Sequence, residues 1–128
     1  MNRPTSETAA IALLRALVQQ DSINPPGVTK GVAGVALDWL RTAGFAPEVV
    51  SAHPNKPNIV VTLDNGPGPH LVFNAHLDTI SPGEPSAWTR PIHDLTEGGG
   101  RLYGLGTGNM KAAAAAMMTG LGPNEEEA

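Results

Sequence analysis

The chain has 128 residues, a net charge of −4 and no cysteine. This length suits one modest domain with its own core, and the charge balance gives no reason to expect nucleic acid or an anionic membrane as a partner. Any bound metal must be held by nitrogen and oxygen, because there is no thiolate. No hydrophobic signal region opens the chain, and no apolar run is long enough to span a bilayer. The cytoplasm is therefore the expected location.

Two amphipathic helices are predicted in the first third of the chain. Residues 5–20 carry apolar side chains at helical spacing, and Pro4 with the two hydroxyl residues after it suits the start of this helix. A second apolar stripe ends at Gly44, which suits the position that terminates a helix. Between them, residues 21–29 contain paired prolines and a glycine, so a solvated loop is predicted there.

Short strands are predicted at residues 45–51, 58–63 and 71–75, separated by turns rich in proline, glycine and asparagine. A hairpin is predicted around the glycines at 98–100. Helices alternating with strands favour an α/β layered fold. Ligand sites in such sheets lie beyond the carboxyl ends of strands, so the residues that follow the strand at 71–75 are the first candidates for a site.

His76 and Asp78 form a His-x-Asp pair at the end of this third strand. Strand side chains alternate with period two, so the imidazole and the carboxylate are expected on the same side. Such a pair can serve a metal, with the imidazole as ligand and the carboxylate as the group that fixes its tautomer. Taken alone the pair is a weak signal, because histidine is one of many polar residues that end strands.

The glycine-rich run at residues 104–111 fits neither phosphate-binding pattern. The Walker pattern requires a glycine directly before its lysine, and Lys111 follows a methionine. The dinucleotide fingerprint requires a glycine where Asn109 stands. Glycines in this run are instead expected to let the backbone turn tightly past a metal centre.

Three motifs together, in this order and spacing, resemble the M20 metallopeptidase family over roughly residues 5–121. They are His76-Leu77-Asp78-Thr79, then Ala87-Trp88-Thr89-Arg90-Pro91, then Gly104-Leu105-Gly106-Thr107-Gly108-Asn109-Met110-Lys111. The resemblance implies an α/β/α layered zinc-peptidase fold with a mixed sheet. It also implies that residues 1–121 are the N-terminal part of the catalytic domain, truncated here, with residues 122–128 as an acidic tail.

The resemblance also implies the roles of the site residues. His76 would bind zinc. Asp78 would be the catalytic carboxylate that orients the imidazole of His76. Asn109 stands where the family has an aspartate that bridges two zinc ions. One or two zinc ions are expected in the family, and they activate a water for attack on an amide carbonyl. The implied substrates are N-acyl amino acids or short peptides with a free carboxylate.

Three departures from the family pattern bear on activity. Ala75 replaces the glycine before the histidine, which is a mild change. Asn109 is a serious one, because a neutral amide offers one oxygen and no charge. Glu125, Glu126 and Glu127 resemble the family's later acidic ligands, but they follow Asn109 too closely for the intervening helix and strand, so a solvated acidic tail is predicted.

Two functions therefore stay open. The first is an M20-type metallohydrolase scaffold that is not active as this chain alone, with weak or absent zinc binding, because the later ligands are missing from the 128 residues. The second is a non-catalytic binding module or a truncated remnant of such an enzyme. In both cases exposed apolar surface along the sheet edge predicts a homo-oligomer. Asp78 is expected to be more enclosed than His76, because it must hold the imidazole.

Overall fold

Three α-helices and two two-stranded antiparallel sheets form the regular structure of the described residues. The computed structural model describes residues 5–122, and the side chains of residues 9–122. The helices are α1 (Thr5–Val18), α2 (Lys30–Thr42) and α3 (Ala112–Leu121). The strands are β1 (Glu48–Val50), β2 (Asn58–Val60), β3 (Thr96–Gly98) and β4 (Arg101–Tyr103). Residues 123–128 of the predicted acidic tail, and Pro4, lie outside the described residues.

Helix α1 supplies the centre of the core, as its apolar periodicity predicts. It packs against α3 and α2, and the carbonyl of Leu17 near its end accepts the backbone N–H of Gln20 at 3.2 Å. This tighter last turn ends the α-helix two residues before the predicted boundary. The buried core cluster consists of Leu13, Leu14, Leu17, Val18, Val32, Leu95, Ala114 and Ala115.

Helix α2 ends as predicted at Gly44. This glycine has φ of +91°, in the left-handed region that a side chain disfavours. The backbone N–H of Gly44 donates to the carbonyl of Arg41 at 3.0 Å, and that of Phe45 to the carbonyl of Leu40 at 3.0 Å. Trp39 on this helix is partly buried against the core.

The predicted strands at 45–51 and 58–63 are present but shorter, and they pair with each other as β1 and β2. Val49 lies opposite Ile59 in this antiparallel ladder. The hairpin predicted around the glycines is also present, with Gly98 of β3 opposite Arg101 of β4. Its two turn residues, Gly99 and Gly100, have φ of +59° and +77°, which is the backbone of the tightest hairpin turns.

The layered sheet is a correction to the sequence prediction. The mixed α/β character is confirmed, but the described residues contain two separate ribbons and no central sheet with helices on both faces. Residues 71–75 belong to no strand, because no backbone hydrogen bond among the described residues joins them to a neighbour. His76 and Asp78 therefore do not lie at the carboxyl end of a central strand.

The helices of residues 5–122 are also too short or too polar to cross a lipid bilayer.

Candidate functional site

The loop after α1 forms one wall of the candidate site. Thr79 and Ile23 form a parallel bridge. The N–H of Thr79 donates to the carbonyl of Ser22 at 2.9 Å, and the N–H of Asn24 donates to the carbonyl of Thr79 at 2.8 Å. Ser22 is buried, and its hydroxyl donates to the carbonyl of Leu77 at 2.8 Å. The prediction of a simply solvated loop is therefore wrong at Ser22, because this residue fixes the backbone that carries His76 and Asp78.

His76 and Asp78 contact each other, as the His-x-Asp pattern predicts. The Nδ1 atom of His76 lies 3.1 Å from Oδ1 of Asp78 and 2.9 Å from the backbone carbonyl of Asp78. The side chain of Asp78 is 33% exposed and that of His76 is 44% exposed, so the carboxylate is the more enclosed of the two. The contact forms although neither residue belongs to a strand.

Two asparagines extend this pair into a row of four side chains. Asn24 donates from Nδ2 to Oδ2 of Asp78 at 3.0 Å, and Nε2 of His76 lies 2.8 Å from Oδ1 of Asn109. The order is Asn24, Asp78, His76, Asn109. The structure thus brings all three predicted site residues together, and it adds Asn24. The signal for Asn24 in the sequence is an amide in the loop that directly follows the first helix.

Both ring nitrogens of His76 face oxygen acceptors, and only the doubly protonated imidazolium donates to both. The hydrogen bond that His76 donates to Oδ1 of Asn109 is the largest cause that raises the pKa of His76 above 6.5, and Asp78 adds to it. The hydrogen bond from Asn24 is the largest cause that lowers the pKa of Asp78, with a contribution from His76. Nε2, the ring nitrogen that would bind a metal, faces the amide oxygen of Asn109, so a metal there would have to replace this hydrogen bond.

The residues described here do not make a complete zinc site. A catalytic zinc takes three protein ligands and keeps one open position. His76 and Asn109 offer one imidazole nitrogen and one amide oxygen at the same point, while Asp78 is engaged on the far side of the ring. Within residues 5–122, no three histidine, aspartate or glutamate side chains come close enough to hold a metal ion. His76, Asp78 and Asn109 therefore form only part of a zinc site, which we call the half-site.

Lys111 fixes the position of the nearby Asn109, and this role was not predicted from the sequence. Its side chain is only 1% exposed, and Nζ donates to the carbonyls of Leu17 at 2.8 Å and Gln20 at 2.9 Å. Leu17 lies in the last turn of α1 and Gln20 directly follows the helix, where carbonyls lack internal helix partners and carry negative potential. Burial lowers the pKa of Lys111 to about 8. A lysine just before an alanine-rich helix gives no sign of burial in the sequence.

Gly106 closes the turn on the other side of Lys111. Its φ is +84°, and its carbonyl accepts the N–H of Lys111 at 2.8 Å. A Cβ added to Gly106 would lie 2.5 Å from Cγ2 of Thr79. Between these two residues the backbone of Asn109 leaves helical geometry, with φ of −143° and ψ of 91°, and its amide reaches His76. The tight turn predicted for this run is present at Gly106, and the glycine is required there by its close approach to Thr79.

A cavity of about 570 Å³ lies beside this turn, open to solvent. Its lining includes Trp88, Tyr103 and Gly108. Arg90 also lines it, with its guanidinium carbon 4.1 Å from the centre of the Tyr103 ring. Arg90 donates to the hydroxyl of Thr96 at 3.1 Å, so its charge is already partnered by local groups. Arg90 holds the β3–β4 hairpin, and no functional role is assigned to it.

Comparison with known proteins shows which proteins this chain is partly similar to. The chain is 35% identical over 107 residues to acetylornithine deacetylase of Vibrio atlanticus, which is 79% of this chain and 28% of that protein. It is 38% identical over 122 residues to succinyl-diaminopimelate desuccinylase of Methylobacterium radiotolerans, 90% of this chain and 30% of that protein. The chain is partly similar to M20-family deacylases. The predicted M20 resemblance is confirmed to that extent.

The M20 similarity covers most of this chain and a minor part of each relative. A probable succinyl-diaminopimelate desuccinylase of Staphylococcus aureus is 31% identical over 113 residues, 88% of this chain and 28% of that protein. No protein-family model matches the chain. The chain spans less than a third of the length of these curated relatives.

Replacing Asn24 by alanine is expected to release Asp78. The change removes the hydrogen bond that most lowers the pKa of Asp78, so this pKa should rise toward 3.8. The folded state should lose about 0.5–1.5 kcal/mol near neutral pH, and this loss should shrink as the pH falls and Asp78 is protonated in both proteins. Carbon-detected NMR titration and urea unfolding measure the two effects.

The matched control is Asn58→Ala, which removes a donor to the carbonyl of Val50 on the β1–β2 ribbon. It should leave the pKa of Asp78 unchanged. An unchanged pKa in Asn24→Ala as well would contradict the row of four side chains.

Proposed function

We propose that this chain carries the His–Asp half of an M20-type site for zinc-dependent hydrolysis of amide bonds in N-acyl amino acids or short peptides. We further propose that it does not hydrolyse them as this chain alone. One observation carries the proposal: Nε2 of His76 faces Oδ1 of Asn109 at 2.8 Å, while Asp78 contacts the opposite ring nitrogen. The relatives' names specify an acetylated and a succinylated amino acid as their substrates, which supports the acyl amino acid class.

The charge of the half-site supports the proposal that this chain alone does not hydrolyse the substrates. Asn109 contributes a neutral amide oxygen, whereas two dications in one site require bridging negative charge. Asp78 has one oxygen against Asn24 and the other against His76, so it is not free to accept a proton from water. Among residues 5–122, no group of three histidine, aspartate or glutamate side chains could hold a metal ion.

A second candidate, a non-catalytic binding module, is favoured by a different observation. Leu71, Val72 and Phe73 are exposed side by side next to the half-site. Contiguous apolar surface of this kind is typical of interaction sites. The two candidates differ in one measurable property, which is whether restoring a carboxylate at position 109 creates zinc affinity.

Replacing Asn109 by aspartate is expected to raise zinc affinity by about tenfold or more, because the carboxylate adds a charged ligand opposite Nε2 of His76. Adding His76→Ala should abolish this gain. The control Asn55→Asp adds the same charge in an exposed turn and should leave zinc affinity unchanged. Titration calorimetry with zinc at fixed pH measures all four proteins. Equal zinc affinity in the wild type and in Asn109→Asp would contradict the half-site proposal.

Hydrolysis of N-acetyl amino acids should stay undetectable in the wild type and in Asn109→Asp, because Asp78, the carboxylate that contacts His76 in the described part of the chain, is held by Asn24 and His76. An assay of released amino acid in the presence of zinc tests this second half separately. Turnover by the unmodified, zinc-loaded chain would show that the inactive-scaffold proposal is wrong. Glu125, Glu126 and Glu127 would then be the first residues to replace.

A further inference from the structure

The bend at residues 64–66 contains an asparagine that is directly followed by glycine. Asn65-Gly66 is the one such pair in the 128 residues. Asp64, Asn65 and Gly66 are all exposed, and no backbone hydrogen bond of the described residues joins residues 62–69 to another segment. The side-chain amide of Asn65 makes no hydrogen bond to any other described residue. No hydrogen bond to the rest of the described chain therefore restrains this bend.

The backbone nitrogen of Gly66 lies against a carboxylate, because its N–H donates to Oδ1 of Asp64 at 3.0 Å. Joining the same nitrogen to Cγ of Asn65 closes a succinimide ring, so the covalent structure itself holds the nucleophile and the electrophile close together. A carboxylate within hydrogen-bond reach of a reacting N–H can accept its proton. Gly66 also lies in open space, since a Cβ built on it meets no atom within 4 Å.

We propose that residues 64–66 form a self-modifying site, at which the side chain of Asn65 loses its amide group to water. The N–H proton of Gly66 passes to the carboxylate of Asp64 as the nitrogen forms a bond with Cγ of Asn65. The bond between Cγ and Nδ2 then breaks, and the amide leaves as ammonia with that proton. Water opens the succinimide at either carbonyl, which gives aspartate or isoaspartate at position 65. Nothing is oxidised or reduced, and water is the one co-reactant.

Every atom that reacts belongs to three consecutive residues or to water. The site therefore needs neither zinc nor the parts of the longer relatives that this chain does not span, and it is independent of the proposed hydrolase function. Each product adds one negative charge to a chain of net charge −4. The isoaspartate product also lengthens the main chain by a methylene group, in the segment between β2 and His76.

Incubation of the full chain at neutral pH, followed by tandem mass spectrometry of its peptides, tests the proposal. The mass change from amide to carboxyl should accumulate at Asn65 about tenfold or more faster than at Asn58 or Asn74, because only Asn65 precedes a residue without a Cβ. Asn58 is the restrained internal control, since its Nδ2 donates to the carbonyl of Val50 on the β1–β2 ribbon. Equal rates at the three asparagines would overturn the proposal.

Two variants separate the attacking nitrogen from the carboxylate. Gly66→Ala places a Cβ beside the nitrogen and should lower the rate at Asn65 by about tenfold or more. Asp64→Ser keeps an oxygen that can accept the N–H of Gly66 but removes the base. It should lower the rate by about tenfold, less than a buried base contributes, because Asp64 is exposed to water.

The control Asp38→Ser removes the same charge from an exposed position of α2 and should leave the rate at Asn65 unchanged. A wild-type rate in Asp64→Ser would overturn the proposal, because the carboxylate would then take no part in the reaction. A wild-type rate in Gly66→Ala would overturn it as well, because the attack would then not come from the nitrogen of residue 66.

Discussion

Replacing Lys111 by alanine is expected to lower the free energy of unfolding by about 3–5 kcal/mol at neutral pH. The side chain is 1% exposed, so alanine leaves a cavity where its methylenes pack. The carbonyls of Leu17 and Gln20 lose the donor that reaches them at 2.8 and 2.9 Å. The cost of burying an ammonium is recovered and offsets part of this loss. Urea unfolding followed by circular dichroism measures the difference.

The matched control is Lys56→Ala, which removes an exposed lysine from the turn between β1 and β2. Its effect should stay within about 0.5 kcal/mol. Comparable losses in both variants would contradict the structural role of Lys111.

The pH dependence of the free energy of unfolding, compared between the wild type and Lys111→Ala, reports on the burial of the Lys111 charge. The pKa of Lys111 is lowered from 10.5 to about 8 by burial. Between these two values the unfolded chain binds a proton on this lysine that the folded chain lacks, so rising pH stabilises the fold. The gain for the wild type should approach roughly 3 kcal/mol by pH 10.5 and should be absent below about pH 8. Lys111→Ala should lack this gain, so the gap between the two proteins should widen with pH.

Replacing Gly106 by alanine is expected to cost about 2–4 kcal/mol of stability. The φ of +84° disfavours any side chain, and the new Cβ would lie 2.5 Å from Cγ2 of Thr79. Thr79 cannot easily move, because it is 3% exposed and its backbone is hydrogen-bonded to the backbones of Ser22 and Asn24. The clash should also separate Asn109 from His76. Chemical denaturation gives the stability, and the NMR shift of the His76 ring reports on the contact.

Two further variants separate strain from steric clash. Gly66→Ala introduces a side chain at φ of +100° with no atom within 4 Å of the new Cβ, so it should cost only about 1 kcal/mol. Thr79→Ser removes Cγ2, and in combination with Gly106→Ala it should recover part of the loss. If the double variant is no better than the sum of the single ones, close approach is not the reason for the glycine.

Local features of the fold were predictable because each depends on neighbouring residues. The periodicity of α1, the end of α2 at Gly44 and the glycine hairpin all follow from backbone geometry and amphipathic spacing. The contact between His76 and Asp78 follows in the same way, because two residues of separation in extended backbone place both on one side.

Features that depend on distant partners were not predictable. The apolar run at 71–73 is the pattern of a buried strand, yet its pairing partner is not specified by the run itself. The burial of Lys111 depends on the end of α1, which lies more than ninety positions earlier. Asn24 belongs to a loop whose composition indicates only a connection, and its role appears once Asp78 is beside it. In each case the deciding atom belongs to another part of the chain.

The row of four side chains has a consequence for how the protein folds. Its contacts, together with the anchor of Lys111, join residues that are 54, 33 and 94 positions apart. No continuous fragment shorter than residues 17–111 contains all of them. Contacts of such long sequence separation form only after the entropy of closing large loops has been overcome. The site is therefore completed in the same cooperative step as the core, and it cannot persist in a partly folded chain.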